Sequence, residues 1–142
     1  MKYDDITGKI IRCAMTVHST LGNGFQEVIY QRALAIEMKL NNLQFEREKE
    51  LPVYYRNQEI GSRRADFFVE NCIMVELKAL LKLEEAHLAQ AKNYLEAFQM
   101  EVGLLINFGA KSLEFKRVHN NKILNQNISK TEQHSHANPL IR

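Results

Sequence analysis

The chain has 142 residues, of which 45% are hydrophobic and 25% are charged, and its formal net charge is +2 at pH 7. This length predicts one domain, the composition is that of an ordinary globular protein, and so small a net charge gives no support to a nucleic-acid partner. No apolar run approaches the roughly 20 residues that a membrane-spanning helix needs, which excludes a membrane protein of that kind. Asp4 and Asp5 stand where a secretory signal would have basic residues, and Cys13 and Cys72 lack metal-type spacing. We therefore expect reduced thiols and a cytoplasmic location.

Two segments near the N-terminus have the apolar periodicity of amphipathic helices. The first covers residues 6–21 and has Asp4 or Asp5 available as its N-cap. A glycine-rich break separates it from the second, which covers about residues 25–40. The stripe of the second helix that should face the core consists of Glu27, Tyr30, Leu34 and Met38. An acid is thus expected on the face of the helix that packs on the core.

The pattern then becomes that of strands, with one further helix between them. Strands are predicted at residues 45–56, 60–69, 72–79, 101–108 and 113–118, and a helix at residues 83–99. Turns are expected at residues 57–58 and 70–71. Pro52 indicates either an edge position or the start of a strand, and the continuous apolar run of the fourth strand is typical of a central position. This order predicts an α/β layer with antiparallel hairpins and one crossover helix.

The C-terminal segment loses this periodicity. From about His119 onward, Asn, Gln, Ser and His dominate. We therefore predict a folded domain at residues 1–118 and a polar, flexible tail at residues 119–142. His134 and His136 could bind a metal, although a solvated segment is the simpler interpretation.

The strand at residues 72–79 carries two charges within an apolar run. Because side chains alternate along a strand, Glu76 and Lys78 share one face, and Ile73, Val75, Leu77 and Ala79 lie on the other. Buried charges are costly unless they are paired or used. Asp66 on the preceding strand and the carbonyl of Leu77 add the oxygen ligands that hard cations such as Mg²⁺ prefer. Lys78 would then be able to activate a water or to neutralise an attacked phosphate.

This candidate site depends on the register of the hairpin between the two strands. A two-residue turn at residues 70–71 would pair Asp66 with Val75 and turn its side chain away from Glu76. A shared site requires an odd loop, such as residues 70–72, or a bulge in the first strand. We predict that one of these is present.

The same residues also have structural interpretations. Glu-x-Lys occurs by chance in many chains of this length. Glu27 could be an acid at the edge of its helix, paired with one of three arginines: Arg32, Arg63 or Arg64. Gln90 and Tyr94, with His87 one turn earlier, share a face of the third helix. Tyr on such a face is usually a core residue, and Gln beside it is usually a satisfied hydrogen-bonding group.

Residues 24–30, Gly-Phe-Gln-Glu-Val-Ile-Tyr, match a Gly-x-x-Glu-x-x-Tyr signature. The chain resembles the small bacterial proteins named after that signature, the GxxExxY family of the PD-(D/E)XK nuclease superfamily. Other matching segments are residues 30–34, 51–55, 66–70, 75–79, 87–90, 93–95 and 103–109. Each segment is weak by itself, but the set in this order is specific and covers about residues 5–118. Ala65 replaces the proline that names the superfamily, a residue that is often absent from its members.

The resemblance implies a restriction-endonuclease-like α/β core, with a mixed central sheet of about four to five strands flanked by helices on both sides. It implies metal ligands at Asp66 and Glu76, and the Leu77 carbonyl, expected from the strand itself, would join them on Mg²⁺ or Mn²⁺. Glu27 would be the acid of the first core helix, holding a metal or its water. Lys78 would be the catalytic lysine.

The resemblance also concerns the third helix. Gln90 and Tyr94 look like the Gln-x-x-x-Tyr motif of RecB-like nucleases, which orients catalytic groups and contacts the substrate strand, and His87 is added as a site-lining, substrate-binding group. The implied activity is hydrolysis of phosphodiester bonds in DNA, with RNA left open, by a metal-activated water and a catalytic lysine. The alternative is a non-catalytic module that binds nucleic acid or protein through the same pocket, and a structural domain with ion-paired charges ranks last. A homodimer or a larger partner complex is compatible with either of the first two.

Overall fold

The computed structural model describes residues 3–123. Its elements, in chain order, are α1 (Asp4–Leu21), α2 (Glu27–Leu40), β1 (Phe45–Tyr55), β2 (Gln58–Val69), β3 (Ile73–Lys78), α3 (Glu85–Ala97), β4 (Val102–Asn107) and β5 (Glu114–His119). The five strands form one sheet in the order β1-β2-β3-β4-β5. Neighbours are antiparallel except β3 and β4, which are parallel and joined through α3. The predicted order of elements and the single crossover helix are confirmed.

Helices cover both faces of the sheet, as the sequence predicted. On one face, α1 and α2 contribute residues such as Ile10 and Leu34 to the larger core, where they pack with Val75 of β3. On the other face, Leu95 of α3 belongs to a smaller cluster with Met74 of β3. Residues of β3 therefore pack on both sides, which makes this strand the centre of the fold. Within the described chain, no helix has the length and apolarity that crossing a membrane would require.

Two local expectations about backbone boundaries are wrong by about a residue. Tyr3, with a φ of 65°, is the N-cap of α1, and Asp4 and Asp5 lie in the first helical turn instead. The β1–β2 turn consists of Arg56 and Asn57, both with positive φ, and not of residues 57–58. Two residues with positive φ match the twist of the flanking strands, which explains this position of the turn.

The fold continues past the predicted domain boundary at residue 118. β5 ends at His119, and Asn120 is buried and donates from its side-chain amide to the Leu95 carbonyl at 3.2 Å. These two residues therefore belong to the folded part of the chain. His134 and His136, with the other residues from 124 onward, lie outside the described residues.

The carboxyl end of β3 is held by the residues that follow β4. The N–H of Phe108 donates to the Lys78 carbonyl at 2.9 Å. The buried Asn107 side chain bonds to both the N–H and the carbonyl of Leu80, at 2.8 and 2.9 Å. Gly109 approaches this segment so closely that a Cβ there would collide with the backbone of Ala79 and Leu80. These contacts fix the backbone that presents Lys78.

Candidate active site

The register between β2 and β3 brings two carboxylates together. Residues 70–72 form a three-residue loop, and Phe67 pairs with Val75. By the same register Asp66 lies opposite Glu76. The odd loop that the sequence required is therefore confirmed.

Asp66 is held by hydrogen bonds to both of its oxygens. The β2–β3 ladder ends at the residue after it, and its Oδ2 accepts the backbone N–H of Leu77 at 2.8 Å. Its Oδ1 accepts from Nε2 of the buried Gln31 at 2.9 Å, while Arg47 donates to Oε1 of Gln31, also at 2.9 Å. Because an arginine can only donate, the Gln31 carbonyl must face Arg47 and its NH₂ group must face Asp66. The carboxyl group of Asp66 is therefore fixed in one orientation.

Glu76 is buried, with only 4% of its surface exposed. Its Oε2 lies 3.1 Å from Nη2 of Arg63, but its Oε1 is buried without a hydrogen-bond partner. Burial raises the pKa of Glu76 to about 8, the nearby Asp66 adds to the rise, and Arg63 and Lys78 oppose it. Burial and the nearby Asp66 thus make the charged form of Glu76 costly, and Arg63 and Lys78 offset only part of that cost.

Helix α3 brings two of the predicted side chains to the site. Nζ of Lys78 lies 3.5 Å from Oε1 of Gln90, a contact at the outer limit of hydrogen bonding. One turn later, the ring of Tyr94 lies under the guanidinium of Arg63, at 4.7 Å from the ring centroid. Gln90 and Tyr94 therefore line the same cleft as Glu76 and Lys78.

Glu27 lies at the rim of this cleft and not on the buried stripe of α2, so that expectation was wrong. It is exposed because it is the first residue of the helix, whereas Tyr30 is fully buried. Partial burial raises the pKa of Glu27, Asp66 raises it further, and Lys78 lowers it. Arg63 and Arg64 pair with other acids.

The described chain contains no group of three or more His, Cys, Asp or Glu side chains that could hold a metal ion. Glu27 is the first residue of α2, and its role as a metal ligand stays a prediction. The carboxylates that could share a cation are Asp66 and Glu76.

The signature segment has a structural function of its own. The hydroxyl of Tyr30 donates to the Gly22 carbonyl at 2.6 Å and accepts the N–H of Phe25 at 3.1 Å. Its ring is stacked on Phe108, with centroids 4.7 Å apart and an interplanar angle of 11°. The tyrosine thus holds the loop from which α2 and Glu27 begin.

His87 has a structural contact at the start of α3. Its Nδ1 accepts the backbone N–H of Glu84 at 3.0 Å, as part of a capping arrangement. This contact satisfies a backbone donor at the end of the helix. A role of His87 in substrate binding stays a prediction.

Gln31 was missed as a site residue in the sequence, and Arg63 was named there as a possible partner of Glu27, not of Glu76. Gln31 fixes Asp66, and Arg63 pairs with Glu76. Gln31 directly follows the buried Tyr30 in the signature segment, and a polar residue at the edge of an apolar stripe was the available signal. Arg63 precedes Asp66 by three residues on a strand, and its partner could not be read from that spacing.

Comparison with known proteins gives a family and a fold. A family model of the PD-(D/E)XK nuclease superfamily matches residues 4–118. The crystal structure of SSO0001 is similar, with a TM-score of 0.52 and 19% sequence identity over 83% of this chain and 60% of that one. This chain thus spans less than two thirds of that protein, and the likeness supports the restriction-endonuclease-like core. No curated protein matches the sequence.

Proposed function

This chain belongs to the PD-(D/E)XK nuclease superfamily, and we propose that it is a metal-dependent nuclease that hydrolyses phosphodiester bonds in DNA. The proposed cofactor is Mg²⁺ or Mn²⁺, and RNA is the second substrate to be tested. We also propose that the chain is a bacterial, cytoplasmic protein of the GxxExxY group within that superfamily.

The observation that carries the proposal is the pair of Asp66 and Glu76 beside Lys78. Two adjacent carboxyl groups repel each other, and a carboxylate as buried as Glu76 costs several kcal/mol (order of magnitude) to desolvate. Packing of the core does not require this arrangement. A cation bound between the carboxylates would offset the repulsion, and Oε1 of Glu76, which has no partner, could bind that cation.

The donor set fits a hard divalent cation. Asp66, Glu76 and the Leu77 carbonyl would hold it, and Mg²⁺ is usually bound through one or two carboxylates with water and substrate phosphate completing its shell. The N–H of Leu77 faces Asp66, and the carbonyl of a strand residue points to the same side as its N–H. When bound, such a cation acts as a Lewis acid and lowers the pKa of water.

Other side chains of the cleft would act on the substrate and on the attacking water. Lys78 would orient that water and offset the negative charge that develops on the scissile phosphate. Gln90 contacts the amine of Lys78, and Tyr94 and His87 are the proposed contacts to the substrate strand. Glu27, with its raised pKa at the rim, is suited to hold a water or to accept a proton.

Cleavage assays test this proposal. The protein is incubated with supercoiled plasmid, linear duplex, single-stranded DNA and RNA, each with Mg²⁺, with Mn²⁺ or with a chelator. We expect cleavage of DNA only with metal, and loss of cleavage in Asp66→Asn. The matched control is Asp5→Asn, which removes an exposed acid from the first turn of α1. Absence of cleavage of all four substrates, or equal rates for the two variants, would show that the proposal is wrong.

A second function, a non-catalytic binding module, is favoured by the contact between Arg63 and Glu76. The 3.1 Å ion pair neutralises Glu76 without a metal. Calorimetry with an oligonucleotide, in Mg²⁺ and in chelator, separates the two functions. Oligonucleotide binding that is indifferent to Mg²⁺ and is not followed by cleavage would support the module, whereas binding strengthened by Mg²⁺ supports the nuclease.

A further inference from the structure

Arg63 lies where it can act as the counterion of Glu76. Its Nη2 is 3.1 Å from Oε2 of Glu76, and its Nη1 donates to the Arg64 carbonyl at 2.9 Å. The guanidinium lies 4.7 Å from the centroid of the Tyr94 ring. Arg63 is thus held by three different contacts, of which only one is to the candidate metal ligand.

The ion pair is incomplete on both sides. Nε of Arg63 and Oε1 of Glu76 are buried and have no hydrogen-bond partner, although the two groups contact each other. A paired arrangement with two parallel hydrogen bonds would have satisfied such atoms. A buried polar atom without a partner costs free energy. Both groups would therefore gain from a different partner.

The two side chains differ in their access to solvent. The side chain of Arg63 is 32% exposed and that of Glu76 only 5%. Arg63 is therefore accessible to solvent, whereas Glu76 is enclosed. An exchange of partners would therefore move the arginine and leave the glutamate in place.

We propose that Arg63 is an exchangeable counterion that becomes a substrate-contact residue. It neutralises Glu76 while no metal is bound, leaves Glu76 when a divalent cation binds, and then pairs with a phosphate group of the nucleic acid. This inference rests on the proposed nuclease function. Arginine suits both states because its planar fork pairs with carboxylate and phosphate alike. The Tyr94 ring keeps the guanidinium at the cleft, since this cation–π contact does not require Glu76.

The proposal predicts coupling between metal and nucleic acid. If Arg63 is released from Glu76 by the cation, part of the gain in nucleic-acid affinity on adding Mg²⁺ must depend on Arg63. Coupling of two ligands is reciprocal, so the nucleic acid must also strengthen Mg²⁺ binding through the same residue.

The first test follows Arg63 directly by nuclear magnetic resonance of arginine Nε–H groups in the wild-type protein. The Arg63 signal is assigned by its absence in Arg63→Lys. We expect Mg²⁺ to shift this signal toward the position of a solvated arginine, and to leave the signal of Arg64 unchanged. Arg64 is the matched control because it is the next residue, 59% exposed, and pairs with Glu48 and Glu50 at 3.9 and 3.7 Å. An unmoved Arg63 signal at saturating Mg²⁺ overturns the inference.

The second test measures oligonucleotide affinity by fluorescence anisotropy in a Lys78→Met background, which is not expected to cleave. Arg63→Gln and Arg64→Gln each remove one positive charge. A difference between their oligonucleotide affinities therefore reports where the arginine lies and not the loss of a charge. We expect the gain in affinity on adding Mg²⁺ to be roughly three- to tenfold smaller in Arg63→Gln, since one well-placed phosphate contact has about that effect. Equal gains in the two variants overturn the inference.

Two further measurements separate the possible failures. Melting temperatures establish that each variant folds, and Arg63→Lys replaces Arg63→Gln in the affinity test if the latter does not. A wild-type protein that binds no Mg²⁺ would remove the proposed function together with this inference. A wild-type protein that binds Mg²⁺ and cleaves DNA, but whose Arg63 signal and coupling do not respond, would remove the inference alone.

Discussion

Side chains of the short strand β3 alternate between the two faces of the sheet, and the two faces differ in composition. One face contributes only apolar side chains to the large core under α1 and α2: Ile73, Val75 and Leu77. The other face, under α3, carries Glu76 and Lys78 beside a smaller apolar cluster. Because the net stability of a domain is only about 5–15 kcal/mol, the costly charges on the second face depend on the packing of the first. The difference predicts that substitutions on one face change mainly stability, and on the other mainly activity.

The largest expected effect is on the charged face, in Lys78→Met. The variant keeps the aliphatic stem and removes the amine, so we expect the cleavage rate to fall about 10²- to 10⁴-fold, the usual range for a lost proton-transfer or charge-stabilising group. The melting temperature should change little. Lys92→Met, an exposed lysine of α3, is the matched control and should cleave as the wild type does. Equal rates in the two variants would contradict the assignment of Lys78.

The converse change is Ile73→Ala on the apolar face. Ile73 is fully buried, and removal of such a side chain typically costs about 2–5 kcal/mol in the free energy of unfolding. Urea denaturation measures this loss, and cleavage is measured at a temperature where the variant remains folded. We expect a cleavage rate per folded molecule within about twofold of wild type. A rate that falls as strongly as in Lys78→Met would show that the two faces are not separable.

The third prediction concerns the charged face and the way in which Glu76 makes the stability of the protein depend on pH. The pKa of Glu76 is raised from 4.5 to about 8 in the folded protein. The folded state therefore binds more protons than the unfolded state between these values, and stability must fall as pH rises through that window. The slope contributed by Glu76 is at most about 1.4 kcal/mol per pH unit.

Urea midpoints from pH 5 to pH 8, measured in chelator, test this slope. We expect the wild type to lose stability across this range relative to Glu76→Gln, whose amide does not titrate. The difference between the two curves removes the contribution of the histidines. Parallel curves would mean that Glu76 is not the titrating group.

The strand pattern and the loop length were predictable because they follow from local geometry. Alternation along β3 requires no knowledge of tertiary contacts, and it correctly separated Glu76 and Lys78 from Ile73, Val75 and Leu77. A shared site requires Asp66 to lie opposite Glu76. Because side chains alternate between the two faces of a strand, this requires a loop with an odd number of residues. The three-residue loop at residues 70–72 has this property.

The residues that hold the carboxylates were not predictable by the same means. Gln31 and Arg63 contact Asp66 and Glu76 across different elements, and such contacts depend on how α2 and β2 pack. The position of Glu27 was misjudged because helical periodicity does not say where a helix begins. His87 matched the face of Gln90, yet its observed partner is the backbone of Glu84. Local capping competes with any site for a polar side chain.

Gln31 gives the fourth prediction, with a smaller effect on the charged face. Gln31→Met keeps the length of the side chain but removes the donor to Asp66. Loss of a group that orients a metal ligand typically costs about 10- to 100-fold in affinity, and we expect a weakening of Mg²⁺ binding near the lower value. Calorimetry measures the Kd, with Gln58→Met at the exposed hairpin end as the control. Unchanged affinity in Gln31→Met would mean that Leu77 alone orients Asp66.

The smallest expected effect is that of Tyr30→Phe, a substitution in the signature segment, on the side of the large core. The substitution keeps the ring stacked on Phe108 but removes the hydroxyl that joins Gly22 and Phe25. The loop lies near solvent, so water can replace part of what is lost, and we expect a cost of about 1 kcal/mol. This corresponds to a melting temperature about 3–5 °C lower. Hydrogen exchange at the Phe25 amide should become faster, because its acceptor is gone. A wild-type exchange rate at Phe25 would show that the stacked ring holds the loop without the hydroxyl.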